Sequence, residues 1–353
     1  TRSQTVTGVQ TCALPICELA FEYPELARGL RARAYLPLFW TRDGEADATL
    51  SGLGDAQVRF QYQPGRSTWR YTAGLDLPTG RTGLDETEAR VAARAMASRV
   101  LDLRLKRPGE GLDLFGGLSW GLPAGRNTAL GVAVAGYVKG AYDLYTTAGG
   151  ATVEADPGER LHLSLRLLAR EHDQDPNWTF RAMLSGQLAT PTEIEREGTT
   201  AEVREGAQLT AEAAYDRRLG DAARGGVTFY ALARDANESD EALVVAEETL
   251  GLSTRWVSEF GLFYSRPLLG TRARVALTHT VYRMDASRGV NSRMTALAVE
   301  SRRPLSPRLE LASEIELGVG KTPWAADTAG DGEKRTLSGF SLRLQGIYRW
   351  GAE

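Results

Sequence analysis

Chemistry in this chain would have to come from very few side chains. Its 353 residues hold three histidines and two cysteines. No two of His162, His172 and His279 share a spacing, such as i, i+4 on a helix, that would aim both rings at one metal ion. His172 beside Asp173 and Asp175 is the one place where a histidine–carboxylate relay could form, and solvated loop charge is the plainer reading. Gly318-Val319-Gly320-Lys321-Thr322 looks like a phosphate loop, but Ile315 stands where the first glycine is required. Pro323 also blocks the helix whose N-terminus would hold phosphate. Cys12 and Cys17 both lie near the start, so the body has no disulfide framework and no thiolate metal site. The expectation is a protein that is not an enzyme, with no catalytic residue, no metal and no cofactor.

What remains is a set of full charges placed singly among apolar residues: Arg59, Arg70, Arg104, Arg166, Arg181, Glu212, Glu314 and Arg343. They are carried by segments of period two, the pattern of a strand with one wet and one apolar face. Val58-Phe60-Tyr62 alternates with Arg59-Gln61-Gln63, and Trp69-Tyr71-Ala73-Leu75-Leu77 with Arg70-Thr72-Gly74-Asp76. Leu101-Leu103-Leu105, Leu161-Leu163-Leu165-Leu167, Trp178-Phe180-Ala182-Leu184, Leu309–Leu317 and Phe340–Trp350 repeat it, with weaker copies between them. One stretch differs: Asp85-Glu86-Thr87-Glu88 reads as a capping box before the alanine-rich run Ala89–Ala97, a short helix in a loop near 85–97.

Composition narrows the setting. A net charge of −3, with 25% charged residues, excludes a chain whose whole body binds nucleic acid. No window approaches about 18 uncharged apolar residues, so helical membrane spans are excluded while strand spans are not. The apolar faces can meet in a soluble sandwich, stack between repeats, or face lipid; no repeat of about 20–50 residues is found. Trp40, Tyr62, Trp69, Trp120, Tyr137, Trp178, Tyr215, Tyr264, Tyr348 and Trp350 fall at strand ends, where interfacial aromatic girdles belong. The charges then line a lumen. We therefore expect an all-β fold: a single closed antiparallel transmembrane β-barrel of about 12–16 strands, about 14 preferred, with the last strand pairing with the first. The alternatives are an outer-membrane barrel enzyme acting at its outer rim and a soluble all-β binding protein. Loop order is irregular in this reading, because 121–126 is short where a long loop is due and 189–205 falls on the wrong side. A further hairpin at 141–155, around Gly149-Gly150, would repair it. Loops 142–158, 235–249 and 319–336 are candidates for a lid over the pore.

Gly52-Leu53-Gly54-Asp55, an alternating strand, a short turn, and a second strand ending Leu77-Pro78-Thr79-Gly80 resemble a family of outer-membrane barrels labelled for a meta-pathway of phenol degradation. The resemblance implies a channel or transporter for small hydrophobic or aromatic molecules in the outer membrane of a Gram-negative bacterium. Its partners would be outer-membrane lipid and a small solute, and it would act as a monomer, by passive diffusion and without nucleic acid. Thr1–Cys17 is similar to the translation of a sequencing adapter, VTGVQTCALPI being the matching part. Residues 1–17 are therefore expected to be non-native and 18–353 to form one barrel domain.

Overall fold

A computed structural model describes residues 10–43, 48–92, 109–171, 176–239, 254–268, 270–284, 292–322 and 335–349. The first part of the chain forms β1 (Gln10–Ala27), β2 (Leu30–Asp43), β3 (Ala48–Leu53), β4 (Ala56–Tyr62), β5 (Trp69–Leu77) and the helix α1 (Glu86–Ala92). Then come β6 (Asp113–Pro123), β7 (Thr128–Lys139), β8 (Tyr142–Thr146), β9 (Thr152–Asp156), β10 (Arg160–Arg170), β11 (Trp178–Ala189), β12 (Thr192–Arg196) and β13 (Thr199–Arg204). The remainder is β14 (Gln208–Leu219), β15 (Ala223–Arg234), β16 (Glu238–Ser239), β17 (Thr254–Leu268), β18 (Thr271–Met284), β19 (Ser292–Pro304), β20 (Leu309–Thr322) and β21 (Arg335–Arg349).

Nearly all of this is one sixteen-stranded sheet in which each long strand pairs antiparallel with its neighbours in the chain. β3 is a side arm on β2, leaving fifteen strands in the up-and-down run. At one end the strands are joined by short turns, after β1, β4, β6, β10, β14, β17 and β19. Four of these turns place glycine at positive φ, Gly29 at 79°, Gly65 at 49°, Gly220 at 75° and Gly270 at 74°, a region most side chains avoid. At the other end the connections are longer, apart from the seven residues between β18 and β19. Two of them, between β7 and β10 and between β11 and β14, carry hairpins of their own.

Three expectations differ from the structure. The Leu101–Leu105 alternation supplies no strand between β5 and β6, because those two pair directly from Trp69↔Trp120 to Asp76↔Asp113; residues 101–105 themselves lie outside the described residues. Removing that strand restores the alternation of short and long connections, so 121–126 and 189–205 each fall on their proper side. The expected hairpin around Gly149-Gly150 exists as β8 and β9, but it lies within a long connection and not in the main sheet. The pairing of the first and last strands is also parallel, with Gln10–Glu22 along Leu337–Arg349, while β1 is antiparallel to β2 on its other side. An up-and-down run with an odd number of strands makes its first and last strands point the same way.

Alternation decides which face is apolar. On β10, Leu161, Leu163 and Leu165 are 43%, 51% and 50% exposed, while Ser164 between them is 6% exposed. Cross-strand partners share a face, so the register spreads this pattern sideways: Leu165 stands between Val132 and Leu184, and Leu277 between Leu262 and Leu297. These side chains are all exposed. A sandwich would bury them against a second sheet. Tyr62, Trp69, Tyr215 and Tyr264 sit on this apolar face near the short-turn end, with Tyr62 stacked on Tyr71 and Trp69 on Trp120. Tyr137 does not belong with them, since its register partners Phe115 and Arg160 place it on the charged face.

One dry core lies on the face of this sheet opposite the leucines, where Leu232, Val257, Tyr282 and Met294 of β15, β17, β18 and β19 pack together with Tyr230 against them; the others lie outside it. β8, β9, β12, β13 and β16 form a separate five-stranded sheet built from three successive long connections. One face of it buries Leu144, Val153, Ala155, Ile194 and Val203, and the other exposes Asp143, Glu154, Asp156, Glu193, Glu195 and Glu202. The helix beside it starts as expected from the sequence. Glu88 N donates to Asp85 Oδ1 at 2.8 Å and Asp85 N to Glu88 Oε2 at 3.3 Å, a reciprocal capping box. Leu84 and Ala89, the two positions of a hydrophobic staple across that cap, are buried, and the Leu84 carbonyl accepts from Thr146 N of β8. The helix is described as far as Ala92; the rest of 85–97 lies outside the described residues.

Candidate functional site: the charged face and its mouth

The face opposite the leucines carries those charges singled out in the sequence that fall among the described residues, and several of its arginines are tied down. Arg59 forms an ion pair with Asp76, donates to the Leu75 carbonyl at 3.0 Å, and lies 4.6 Å over the Phe115 ring. Register explains the cluster: Arg59, Gly74, Phe115, Tyr137 and Arg160 form one row across β4, β5, β6, β7 and β10. Gly74 leaves the floor on which Phe115 lies, and Phe115 stacks on Tyr137 at 5.5 Å. The device recurs on the far side of the sheet, where Phe263 lies over Gly226 and Arg274 stacks 4.5 Å above Phe263 while bonding Glu300 at 2.7 Å.

A methyl group at Gly74 would sit 2.1 Å from a Phe115 ring carbon and 2.7 Å from the Val58 carbonyl oxygen. Gly74→Ala is therefore expected to destabilise the folded protein by about 1–3 kcal/mol. Urea-induced unfolding in lipid vesicles measures this, and an unchanged midpoint would contradict the packing described.

The remaining expected positions divide as follows. Arg343 bonds Glu314 at 3.3 Å, and Arg70 reaches the Gln63 side chain at 3.3 Å. Arg166, Arg181 and Glu212 lie on the same face across β10, β11 and β14, all exposed and with no ion pair among the described residues. Arg104 and His172 lie outside the described residues. His162 is half-buried on the charged face, whereas His279 lies on the apolar face with its Nδ1 2.9 Å from Thr295 Oγ1. Among the described residues no three histidine, cysteine or carboxylate side chains are grouped to hold a metal ion. The partners Asp76, Asp113, Glu110 and Lys139 were not singled out in the sequence. Asp76 and Asp113 are directly opposite each other and buried, and Lys139 bonds Glu110 at 3.0 Å. The signal for Asp76 was its place in an alternating strand; Glu110 comes from a loop whose approach no periodicity reveals.

The two halves of the sequence motif meet at the long-loop end. Gly54 N donates to the Pro37 carbonyl at 2.8 Å, and a Cβ on Gly54 would fall 2.7 Å from the Pro37 ring. Thr79 Oγ1 accepts from Ala56 N at 2.9 Å, the Leu53 carbonyl accepts from Arg81 N at 3.3 Å, and Leu77 pairs with Ala56. Gly52 precedes this contact in β3 and Pro78 ends β5, where a proline cannot donate to the ladder. The Asp55 carboxylate sits at the centre, 3% exposed. It accepts from Gly80 N at 2.8 Å, Gly109 N at 3.1 Å and Glu110 N at 3.0 Å, so one side chain clasps both roots of the connection between β5 and β6. Burial pushes its pKa above the usual carboxylate value, although the three N–H donors pull the other way.

No family model matches the chain, and no curated protein matches it. Among solved structures, it is similar to a loop-deletion mutant of OmpT, an outer membrane protein of Vibrio cholerae, with TM-score 0.40 and 10% identity over 88% of this chain and 92% of that one. It is also similar to the anion-selective porin from Comamonas acidovorans, with TM-score 0.34 and 14% identity over 93% and 82%. A triple mutant of Rhodopseudomonas blastica porin gives TM-score 0.32 and 10% identity over 84% and 82%.

Proposed function

We propose that the chain is an outer-membrane β-barrel of a Gram-negative bacterium that lets small solutes diffuse passively through a polar lumen. The observation that carries this reading is the pair of faces on one sheet: leucines about half exposed on one side, charged and hydrogen-bonding groups on the other. In water such an apolar face would be a large exposed patch seeking cover; in a bilayer it is the surface that lipid wets. The double pairing of β1, to β2 and to β21, supports closure of the sheet into a cylinder, which leaves no open edge for hydrocarbon to meet. The stacked Trp69–Trp120 and Tyr62–Tyr71 pairs fit an interfacial girdle at the short-turn end. That end would face the periplasm and the long connections the exterior. The solute class follows the family resemblance: small, hydrophobic or aromatic molecules. We take the barrel to be monomeric, with lipid as its surroundings.

Two results would establish this: extraction only with detergent, with a gel mobility that changes on heating, and swelling of liposomes containing the protein in an isotonic sugar. A protein that remains monodisperse in buffer without detergent would overturn the reading. The adapter-like segment has its own expected result. Glu18–Tyr23 keep their pairing with β2 when residues 1–17 are removed, so the shortened chain should still give the heat-modifiable band. Loss of that band would show that 1–17 is part of the fold.

A further inference from the structure

We propose that Arg166 and Arg181 form a subsite for the carboxylate of a small organic acid passing through the lumen, an inference that rests on the channel reading above. The fold pairs other arginines of this face with acids: Arg59 with Asp76, Arg160 with Glu205, Arg224 with Asp216, Arg274 with Glu300 and Arg343 with Glu314. Arg166 and Arg181 differ. They stand on the adjacent strands β10 and β11, both exposed, and neither makes an ion pair among the described residues. The register makes a checkerboard of them: Arg166 is directly opposite Met183, and Leu168 is directly opposite Arg181. The two guanidinium-bearing positions are thus diagonal neighbours, their Cβ atoms somewhat less than about 7–8 Å apart. Like charges so placed repel unless something anionic comes between them.

The neighbourhood selects the kind of anion. Glu212 is directly opposite Met183 on the other side and diagonal to Arg181, so the three side chains together carry one net positive charge. A monoanionic carboxylate balances it; a phosphate dianion would overshoot. A guanidinium matches a carboxylate with paired N–H donors. Leu168 and Met183 occupy the other two corners and offer an apolar floor for the body of an amphipathic acid, while Gly131, opposite Arg166 on β7, leaves the approach from that side open.

The test uses the purified protein in planar bilayers, with benzoate as the probe acid. Reversal potentials under gradients of potassium benzoate and potassium chloride give the permeability of each anion relative to potassium. Liposome swelling in arabinose reports separately whether each variant is inserted and open. The double variant Arg166→Gln, Arg181→Gln is expected to lower benzoate permeability relative to potassium by at least about threefold. Arg166→Lys with Arg181→Lys, which keeps the charge but loses the planar fork, should fall between the two. If all proteins swell in arabinose and the benzoate ratio is the same in the wild type and the glutamine variant, the subsite is wrong and the channel stands. If the wild type neither conducts nor swells, the channel reading itself fails and the subsite falls with it.

Discussion

Replacing Leu165 with arginine is expected to cost about 2–4 kcal/mol of folding free energy in a lipid bilayer. Leu165 lies in the middle of β10, half exposed, between Val132 and Leu184, which are exposed on the same face. No protein group of the described residues covers it, so the environment of the new guanidinium is whatever bathes that face. In hydrocarbon the charge must be drawn toward an interface or hydrated by a local defect in the bilayer, and either is costly. In water the same substitution on an exposed strand position would change stability by no more than about 0.5 kcal/mol. Urea titration of the protein folded in phosphatidylcholine vesicles separates the two, since the effects differ several-fold. A near-neutral Leu165→Arg would contradict lipid on that side.

The second large effect is expected at the mouth. Asp55→Ala leaves the N–H groups of Gly80, Gly109 and Glu110 without their acceptor in a buried place. Each unsatisfied donor costs about 1–3 kcal/mol, and water entering the gap recovers part of it, so a net loss of about 3 kcal/mol is expected. The loss should be local as well as global, with trypsin cutting sooner between Arg81 and Glu110 than in the wild type. Asp55→Asn keeps a carbonyl acceptor and should cost about 1 kcal/mol. The pH dependence has a definite sign. With the folded pKa raised above the unfolded value, the contribution of Asp55 is fully present below the unfolded value and shrinks as pH rises through the folded one. The gap between wild type and Asp55→Asn should therefore be wider in acid than at neutral pH. Equal gaps would mean that the carboxyl is not burdened by its burial.

How much of this could be read from the sequence depends on the range of the interaction. Strands announced themselves locally: Leu161–Leu167 and Trp69–Leu77 alternate, and each side chain falls on the face its parity assigns. The capping box at Asp85 and Glu88 was equally legible, because both hydrogen bonds span only three residues. Register was not. Leu101-Leu103-Leu105 alternates as well as any strand, yet β5 and β6 pair directly without it, and period two alone does not say which segments pair with each other. Tyr137 shows the same limit on a smaller scale. It stands near a strand end, as a girdle residue would, but parity on β7 turns it to the charged face. The described arginines of that set share one face, as their parity assigns, but which of them are spent on carboxylates depends on neighbours far away in sequence, such as Glu314 for Arg343. The motif halves around Asp55 and Thr79 were recognisable as a pair, while their hydrogen bonds to each other, and to the backbone at Gly109 and Glu110, appear only once the chain is folded.

The medium that touches the leucines decides between a membrane wall and a soluble sheet, and spin labels report that medium directly. Cysteines placed one at a time from Leu161 to Leu167, labelled and folded in bilayers, can be read for collisions with oxygen, which concentrates in hydrocarbon, and with a water-soluble nickel chelate. Labels at 161, 163, 165 and 167 should collide preferentially with oxygen, and those at 162, 164 and 166 with the chelate, in strict alternation. Preferential collision of the odd-numbered labels with the chelate, or protection of those labels from both reagents, would contradict a lipid-facing wall.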